Sequence, residues 1–543
     1  MNANTKGTGV SAPRMYTQVL IIGSGLAGCA AALSLADAGH DVTLLGSTET
    51  LGGGNSELAQ GGIIYEAPNT AGHAPNPDAR ALERDILVAG HRHNYTAAVR
   101  HLCRHGPRIV DRLLLERARV PFDTGKDGAW DLTREGGHSV PRILHVADYT
   151  GRAIMEHLTA VVRAHPRITC LCNKRAVDIL TSRHQGGKSQ YRYHVKNRCM
   201  GAYVLDSDTL EISTILADWT VLATGGVGQV FLHSTNSPCC VGSGVSIAYR
   251  AGVALANLEF MQFHPTALYS EFSHRRPLIT EAMRGEGARL LNGRGEAFMP
   301  RYDRRADLAP RDIVAQSMME EMLHNGEHYL YLDASRVEQD LPTRFPTVFQ
   351  QCREVGIDIR KEPIPVVPAA HYFCGGILTD THGRTDLDGL YAIGECACTG
   401  LHGANRLAST SLLEAVTWGW FAAQDIHRRC ATSAGLPARL RQAIPDWEPL
   451  GDDTNDDPAL IKQDWTSIRS TMWNYVGISR STARLRRAFE DLRILTRRIH
   501  DFYRRTRLSP RLVDLYHGVQ VAYIITQAAM RNHSSLGCHF RKD

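Results

Sequence analysis

Gln18-Val19-Leu20-Ile21-Ile22-Gly23-Ser24-Gly25-Leu26-Ala27-Gly28 is the stretch that decides the fold. Four apolar residues run into glycines spaced G-x-G-x-x-G, and Cys29-Ala30-Ala31-Ala32-Leu33-Ser34-Leu35-Ala36-Asp37 follows. The pattern predicts a buried strand, a tight turn and a helix. The first glycine permits the turn and the second lets backbone approach a pyrophosphate. The third allows close strand–helix packing, with phosphate oxygens at the helix N-terminus. An ordinary strand–helix turn is the competing reading, and a lone glycine triplet would not exclude it. Here both flanking elements are present.

Outward from that unit, Asp41-Val42-Thr43-Leu44-Leu45 reads as a second strand. A dinucleotide fold usually ends this strand with an acidic residue for a ribose hydroxyl. This one runs into Gly46-Ser47, with Glu49 the nearest carboxylate, so NAD is poorly supported. Leu51-Gly52-Gly53-Gly54-Asn55-Ser56-Glu57-Leu58-Ala59-Gln60-Gly61-Gly62-Ile63 suits a loop lying against a flat polar ring, because glycine lets backbone N–H groups come close. The embedded Leu58, Ala59 and Ile63 argue against a free surface loop. Two such loops around one strand–helix core favour a large flavin nucleotide over a small phosphate ligand.

The 543 residues allow two or three domains. Hydrophobic content of 43% and charged content of 22% are ordinary for a soluble chain, and no run approaches 18 apolar residues, so no membrane span is expected. Met1 to Arg14 is polar, without an apolar export region, which predicts a cytoplasmic protein with its 13 cysteines reduced. The net charge is +5, and arginines gather in Arg484-Leu485-Arg486-Arg487, Thr496-Arg497-Arg498 and Arg504-Arg505-Thr506-Arg507. Without zinc-finger spacing or an RNA-binding aromatic motif these read as solvated helix faces, and no nucleic-acid partner is assigned. His101 and His105 are four apart, but no glutamate completes H-E-x-x-H, so they read as surface or structural and no metal is assigned.

Further along, residues 78–119 read as helical, 168–216 as strands and hairpins, and Asp218–Gly226 as an apolar strand returning to the cofactor. Composition changes near Asn257, and 257 to about 370 reads as an insertion. Strand-and-glycine sequence resumes at Leu390-Tyr391-Ala392-Ile393-Gly394-Glu395, and a helix is predicted from near Ser411. Pro437 to Pro458 reads as a linker and Leu460 to about Arg531 as helical. The middle of the chain supplies His264, Thr280, Glu281, Arg284, Arg311, His371 and Arg406. Arginine grips a planar carboxylate with two parallel donors, so the set suits a small dicarboxylate beside a flavin. Taken singly, His264 reads equally as a core histidine and Arg311 as a surface ion pair.

The sequence resembles the succinate dehydrogenase/fumarate reductase flavoproteins and, within them, the L-aspartate oxidase branch. The resemblance rests on GSGLAG at 23–28, NSELAQGGI at 55–63, REGGHS at 134–139, QFHPT at 262–266, TEAMRGEGA at 280–288, PAAHYFCGGI at 368–377 and HGANRLAST at 402–410. It covers nearly the whole chain, and REGGHS points to the oxidase branch. It implies an α/β fold: a Rossmann-like FAD-binding domain (1–256 and 371–435), an inserted α+β capping domain (257–370) and a C-terminal helical domain (436–543).

By the same resemblance FAD is held by Gly23, Ser24, Gly25, Leu26, Gly28, Ser47, Asn55, Ser56, Ala59, Gln60, Gly61, Gly62, Ser243, Glu395, Ser411 and Leu412. Ser47 and Ser243 stand where relatives often carry lysine and aspartate, so two FAD contacts are altered. A histidine that bonds FAD covalently in membrane-complex relatives is replaced by Asn55, so FAD is expected to be noncovalent. Arg311 is implied as the acid/base group, His264, His371 and Arg406 as carboxylate ligands assisted by Thr280, and Glu135 as the ammonium selector. Glu281 and Arg284 are expected in a charge network beneath the site. The implied reaction is oxidation of L-aspartate to iminoaspartate with oxygen or fumarate as acceptor, feeding quinolinate synthase in NAD biosynthesis. A soluble fumarate reductase, or an oxidase of a related amino-dicarboxylate, is the alternative.

Overall fold

The computed structural model describes residues 14–65, 77–183, 196–270, 276–432, 435–449, 451–455 and 457–543. The polar N-terminal segment up to residue 13 lies outside them. Strand β1 (Arg14–Ile22) is buried from Val19 onward and helix α1 (Leu26–Asp37) on every face. Its alanines combine high helix propensity with small volume, so the helix fits into the interior.

Strands β2 (Val42–Leu45), β3 (Ile168–Leu171), β4 (Lys174–Thr181), β5 (Cys199–Asp206) and β6 (Ile212–Leu222) join β1 in the order β3-β2-β1-β6-β5-β4. The β3-β2-β1-β6 part is parallel, with Val19 opposite Val42 on one side and Trp219 on the other. β4 and β5 pair antiparallel and carry the sheet onward. From β1 the chain leaves toward β2, and β6 returns on the other flank. A topological switch therefore falls between β1 and β6, opening a crevice beyond their carboxyl ends. Helix α2 (Ser243–Arg250) follows that switch.

A second sheet combines β7 (Met261–Leu268), β8 (Arg289–Leu291), β9 (Leu330–Asp333) and β10 (Ile364–Phe373) in the antiparallel order β7-β10-β9-β8. Helices α3 (Glu281–Gly285), α4 (Arg311–Asn325) and α5 (Pro346–Glu354) belong to the same stretch of chain, which has its own core of Leu268, Met283, Phe298, Met318 and Phe345. Strand β10 runs without a break through residue 370. Asp148, 3% exposed, ties this unit to the first one by accepting from Thr347 N at 3.0 Å and Val348 N at 3.2 Å, which caps α5 from outside its own sheet.

Strand β11 (Leu390–Ala392) then rejoins β6 in parallel, with Ala392 opposite Leu222. Helix α6 (Thr410–Cys430) follows, starting one residue before the expected Ser411. The stretch read as a linker is pinned: Ala438–Ala443 is helical, Pro445 O accepts from Tyr203 Oη at 2.9 Å, and Trp447 packs edge-on against Tyr203. Its prolines and acids masked these anchors, which lie some 240 residues away in sequence.

Helices α7 (Pro458–Val476), α8 (Thr482–Arg505) and α9 (Pro510–Arg531) complete the chain. α8 buries Leu485, Ala488, Leu492, Leu495 and Ile499, and Arg486, Arg487, Arg497, Arg498, Arg504 and Arg505 are exposed. α9 docks on α2, with Arg250 donating to Gln520 Oε1 at 2.6 Å. Cys29, Cys199, Cys240, Cys374, Cys396 and Cys398 are buried, unbridged thiols, and no described helix is long and apolar enough to cross a membrane.

Candidate active site

One elongated cavity runs from the β1–α1 turn to the face of the second sheet. At the turn, Gly23 adopts φ +119°, and a Cβ there would stand 2.1 Å from Ala223 O. A Cβ on Gly28 would meet Gly23 O at 1.9 Å, so this glycine serves strand–helix packing and lies behind the cavity wall. Gly25 caps α1 without a side chain, leaving the first turn's N–H groups turned toward the opening. Ser56 Oγ accepts from Leu26 N at 3.1 Å and Ser24 Oγ from Gly52 N at 3.3 Å, which folds the second glycine loop over the first.

Gly23, Ser24, Gly25, Leu26, Ser47, Asn55, Ser56, Ala59, Gln60, Gly61, Gly62, Ser243, Glu395, Ser411 and Leu412 all line this space. Asn55 is held on both sides: its amide donates to Glu395 Oε2 at 3.0 Å and its carbonyl accepts from Ser237 N at 2.9 Å. Burial raises the Glu395 carboxyl to about 7. Gln60 Oε1 and Thr224 Oγ1 are buried with no partner among the described residues. An open helix N-terminus, side-chain-free backbone and orphaned polar atoms in one long groove fit a flavin dinucleotide.

At the other end, neighbouring strands present two histidines. His264 on β7 and His371 on β10 have ring centroids 5.1 Å apart. His264 Nδ1 lies 3.2 Å from Thr266 N, leaving Nε2 buried with no partner among the described residues. His371 Nδ1 meets Thr235 Oγ1 at 2.9 Å. Thr280 caps α3, and Glu281 in its first turn accepts from Arg311 Nε at 2.5 Å, while Arg284 stands 3.7 Å from the other oxygen. Arg311 opens α4 and keeps Nη1 without a partner among the described residues. Arg406 donates from Nε to Gln262 Oε1 and from Nη1 to Ser411 Oγ, both at 3.2 Å.

Glu135 enters from the REGGHS loop. Asp85 anchors that loop by accepting from Ser139 N, Ser139 Oγ and the buried Arg142 Nη1, each at 2.8 Å. Glu135 Oε2 accepts from Ser409 Oγ at 2.7 Å, and a Cβ on Gly61 would stand 2.4 Å from Oε1. Among the described residues Glu135 forms no ion pair.

Electrostatics separate these groups. Burial raises Glu135 above the ordinary carboxylate range, with Arg311 opposing. Burial also opposes ionisation of Glu281, but Arg311 and Arg284 outweigh it and hold this carboxyl below its usual range. His264 and His371 are pushed well below the usual imidazole value by burial, then by Arg311 and Arg406 respectively. Both are neutral near pH 7, so the arginines carry the positive charge. Burial brings Arg406 down to about 10, leaving it a cation.

Residues 18–412 match the family described as FAD binding domain, and 465–543 that described as fumarate reductase flavoprotein C-term. L-Aspartate oxidase 1 of Ralstonia nicotianae is 43% identical over 97% of this chain and 96% of its own length. The L-aspartate oxidase of Pseudomonas aeruginosa is 42% identical over 97% and 95%. The chain belongs to the succinate dehydrogenase/fumarate reductase flavoprotein family, on its L-aspartate oxidase branch. Its cofactor is FAD. A solved E. coli quinol fumarate reductase superposes with a TM-score of 0.84 at 27% identity, covering 98% of this chain and 92% of that one.

Within this family's cavity lie all the expected site residues except Gly28. Sequence reading missed Ser409, Gln262, Thr235 and Tyr372, which hold Glu135, Arg406, His371 and Glu414 by hydrogen bonds. It also missed Lys174 and Arg175. Lys174 N donates to Gly46 O at 2.9 Å, which sets both cationic residues beside Ser47. Gln262 and Tyr372 sit inside quoted motifs, QFHPT and PAAHYFCGGI. Nothing local in sequence flags Thr235 or Lys174. His101 is structural, its ring 4.1 Å from that of Phe421.

Proposed function

We propose that this protein oxidises L-aspartate to iminoaspartate, with oxygen or fumarate as acceptor, as the first step of NAD biosynthesis through quinolinate in the cytoplasm. The observation that carries the reading is Glu135, a carboxylate without an ion pair among the described residues, in the same cavity as Arg311, Arg406, His264 and His371. A dianion such as succinate leaves that carboxylate opposed by like charge, whereas an amino-dicarboxylate brings an ammonium to it. The named relatives are aspartate oxidases, which supports the same choice.

In this reading Arg406, His371 and His264 grip the two carboxylates, Thr280 assists, and Glu135 takes the ammonium. These contacts fix the Cα–H bond toward the FAD end of the cavity and exclude water. When bound, FAD would supply the hydride acceptor, while one ammonium proton passes to the Glu135 carboxylate as the C=N bond forms. Arginine is too weakly acidic to serve well as a base, so Arg311 acts in the fumarate direction, giving a proton to substrate carbon. Its pair with Glu281 holds the guanidinium in place. Residues 1–256 with 371–435 form the FAD-binding domain, 257–370 the cap and 436–543 the helical domain. Asn55 cannot bond FAD covalently, and iminoaspartate passes to a quinolinate synthase. Incubation with L-aspartate and oxygen yields peroxide and, after hydrolysis of the imine, oxaloacetate. Flavin that stays oxidised under L-aspartate contradicts the proposal.

A further inference from the structure

Behind Arg406 lies a buried network with no assigned role. Tyr372 Oη donates to Glu414 Oε2 at 2.8 Å, Thr399 Oγ1 donates to Glu414 Oε1 at 2.6 Å, and His402 Nε2 stands 2.9 Å from Oε2. Tyr372 is 7% exposed, Thr399 5%, His402 4% and Glu414 1%. Burial works against an ionised Glu414, but His402 and the two hydroxyl donors outweigh it and hold the carboxyl below its ordinary range. The Arg406 guanidinium carbon sits over the Tyr372 ring, 4.9 Å from its centroid. Among the described residues Arg406 itself bonds only neutral acceptors, Gln262 Oε1 and Ser411 Oγ, whereas Arg311 is paired with a carboxylate.

A cation in a dry wall needs negative potential nearby. A carboxylate in contact would supply it but would also occupy the donors that a ligand needs. An aromatic face supplies it from one side and leaves the planar edge free. Donation from the phenol to an ionised carboxylate adds electron density to that face. We infer that Tyr372 is a positioning residue, its ring backed by Glu414 and holding Arg406 oriented and unpaired for a substrate carboxylate. The inference rests on the dicarboxylate reading of this site.

The test is a double-mutant cycle on FAD-loaded protein, read by malonate titration of the flavin spectrum. Tyr372→Leu should weaken malonate by about 5- to 30-fold, the range of a desolvated cation–π contact. It should raise the KM for L-aspartate in step while kcat changes less. In an Arg406→Met background Tyr372→Leu should add almost nothing, because the two residues act as one unit. An undiminished loss in that background overturns the inference. If Tyr372→Leu fails to retain flavin, Glu414→Gln takes its place in the same cycle. Weakening confined to the Arg406 background supports the inference, and equal weakening in both backgrounds overturns it. Wild-type protein that binds no malonate overturns both this inference and the dicarboxylate reading. Protein that binds malonate yet is not reduced by L-aspartate overturns the oxidase reading alone.

Discussion

In the proposed reading Glu135 selects what this site accepts, and burial and its neighbours act on its carboxyl in opposite senses. Ser409 fixes the carboxylate by a 2.7 Å bond, and burial raises its pKa against the opposing effects of Arg311 and Ser409. An arriving ammonium satisfies it only in the ionised form. Aspartate affinity should therefore be full above the raised Glu135 pKa and fall as pH drops through it. Glu135→Gln should weaken L-aspartate by about 1.5–3 kcal/mol, the worth of a hydrogen bond to a charged group, and flatten this pH dependence. Fumarate should be nearly unaffected. Equal losses for both ligands, measured by flavin titration, would remove the ammonium-binding role.

At the scale of elements, the glycine turn, β1, α1 and the helical C-terminal stretch were legible because each rests on local pattern. Period and spacing are properties of neighbouring residues. Contacts between distant segments were not legible, and they position the site. Asp85 holds the Glu135 loop from 54 residues away, and Tyr203 pins Pro445 from 242 away. Asp148 is the clearest case, because a lone aspartate in Ala147-Asp148-Tyr149 gives no sign that it caps α5 some 200 residues later. Asp148→Ala should remove about 1–2 kcal/mol of capping from that helix. Hydrogen exchange at residues 346–354 should then speed up by about 5- to 30-fold. Unchanged protection there would show that the cap unit is held down by other contacts.

For the molecule as a whole, the cavity crosses from the parallel sheet to the second sheet, so FAD held there would contact both units, which also share a buried core through Phe231, Phe263, Ala370 and Phe373. Sequence placed most of the FAD-lining residues because they sit in quoted motifs. It did not anticipate Lys174 and Arg175 beside the changed Ser47, since β4 reaches that position only through sheet topology. FAD held noncovalently should leave the protein on acid precipitation. FAD at about a hundredfold over its Kd should add about 2.7 kcal/mol to the stability of the apoprotein, seen as a higher Tm. Flavin that stays with the precipitate would contradict this account of Asn55.

The most direct test is anaerobic stopped-flow mixing of the oxidised holoprotein with L-aspartate, D-aspartate, L-glutamate and succinate, following loss of flavin absorbance. L-Aspartate should bleach the flavin fastest and succinate should lag far behind. Succinate bleaching as fast as L-aspartate, or no bleaching by L-aspartate, would contradict a site built around one carboxylate that selects an amino-dicarboxylate.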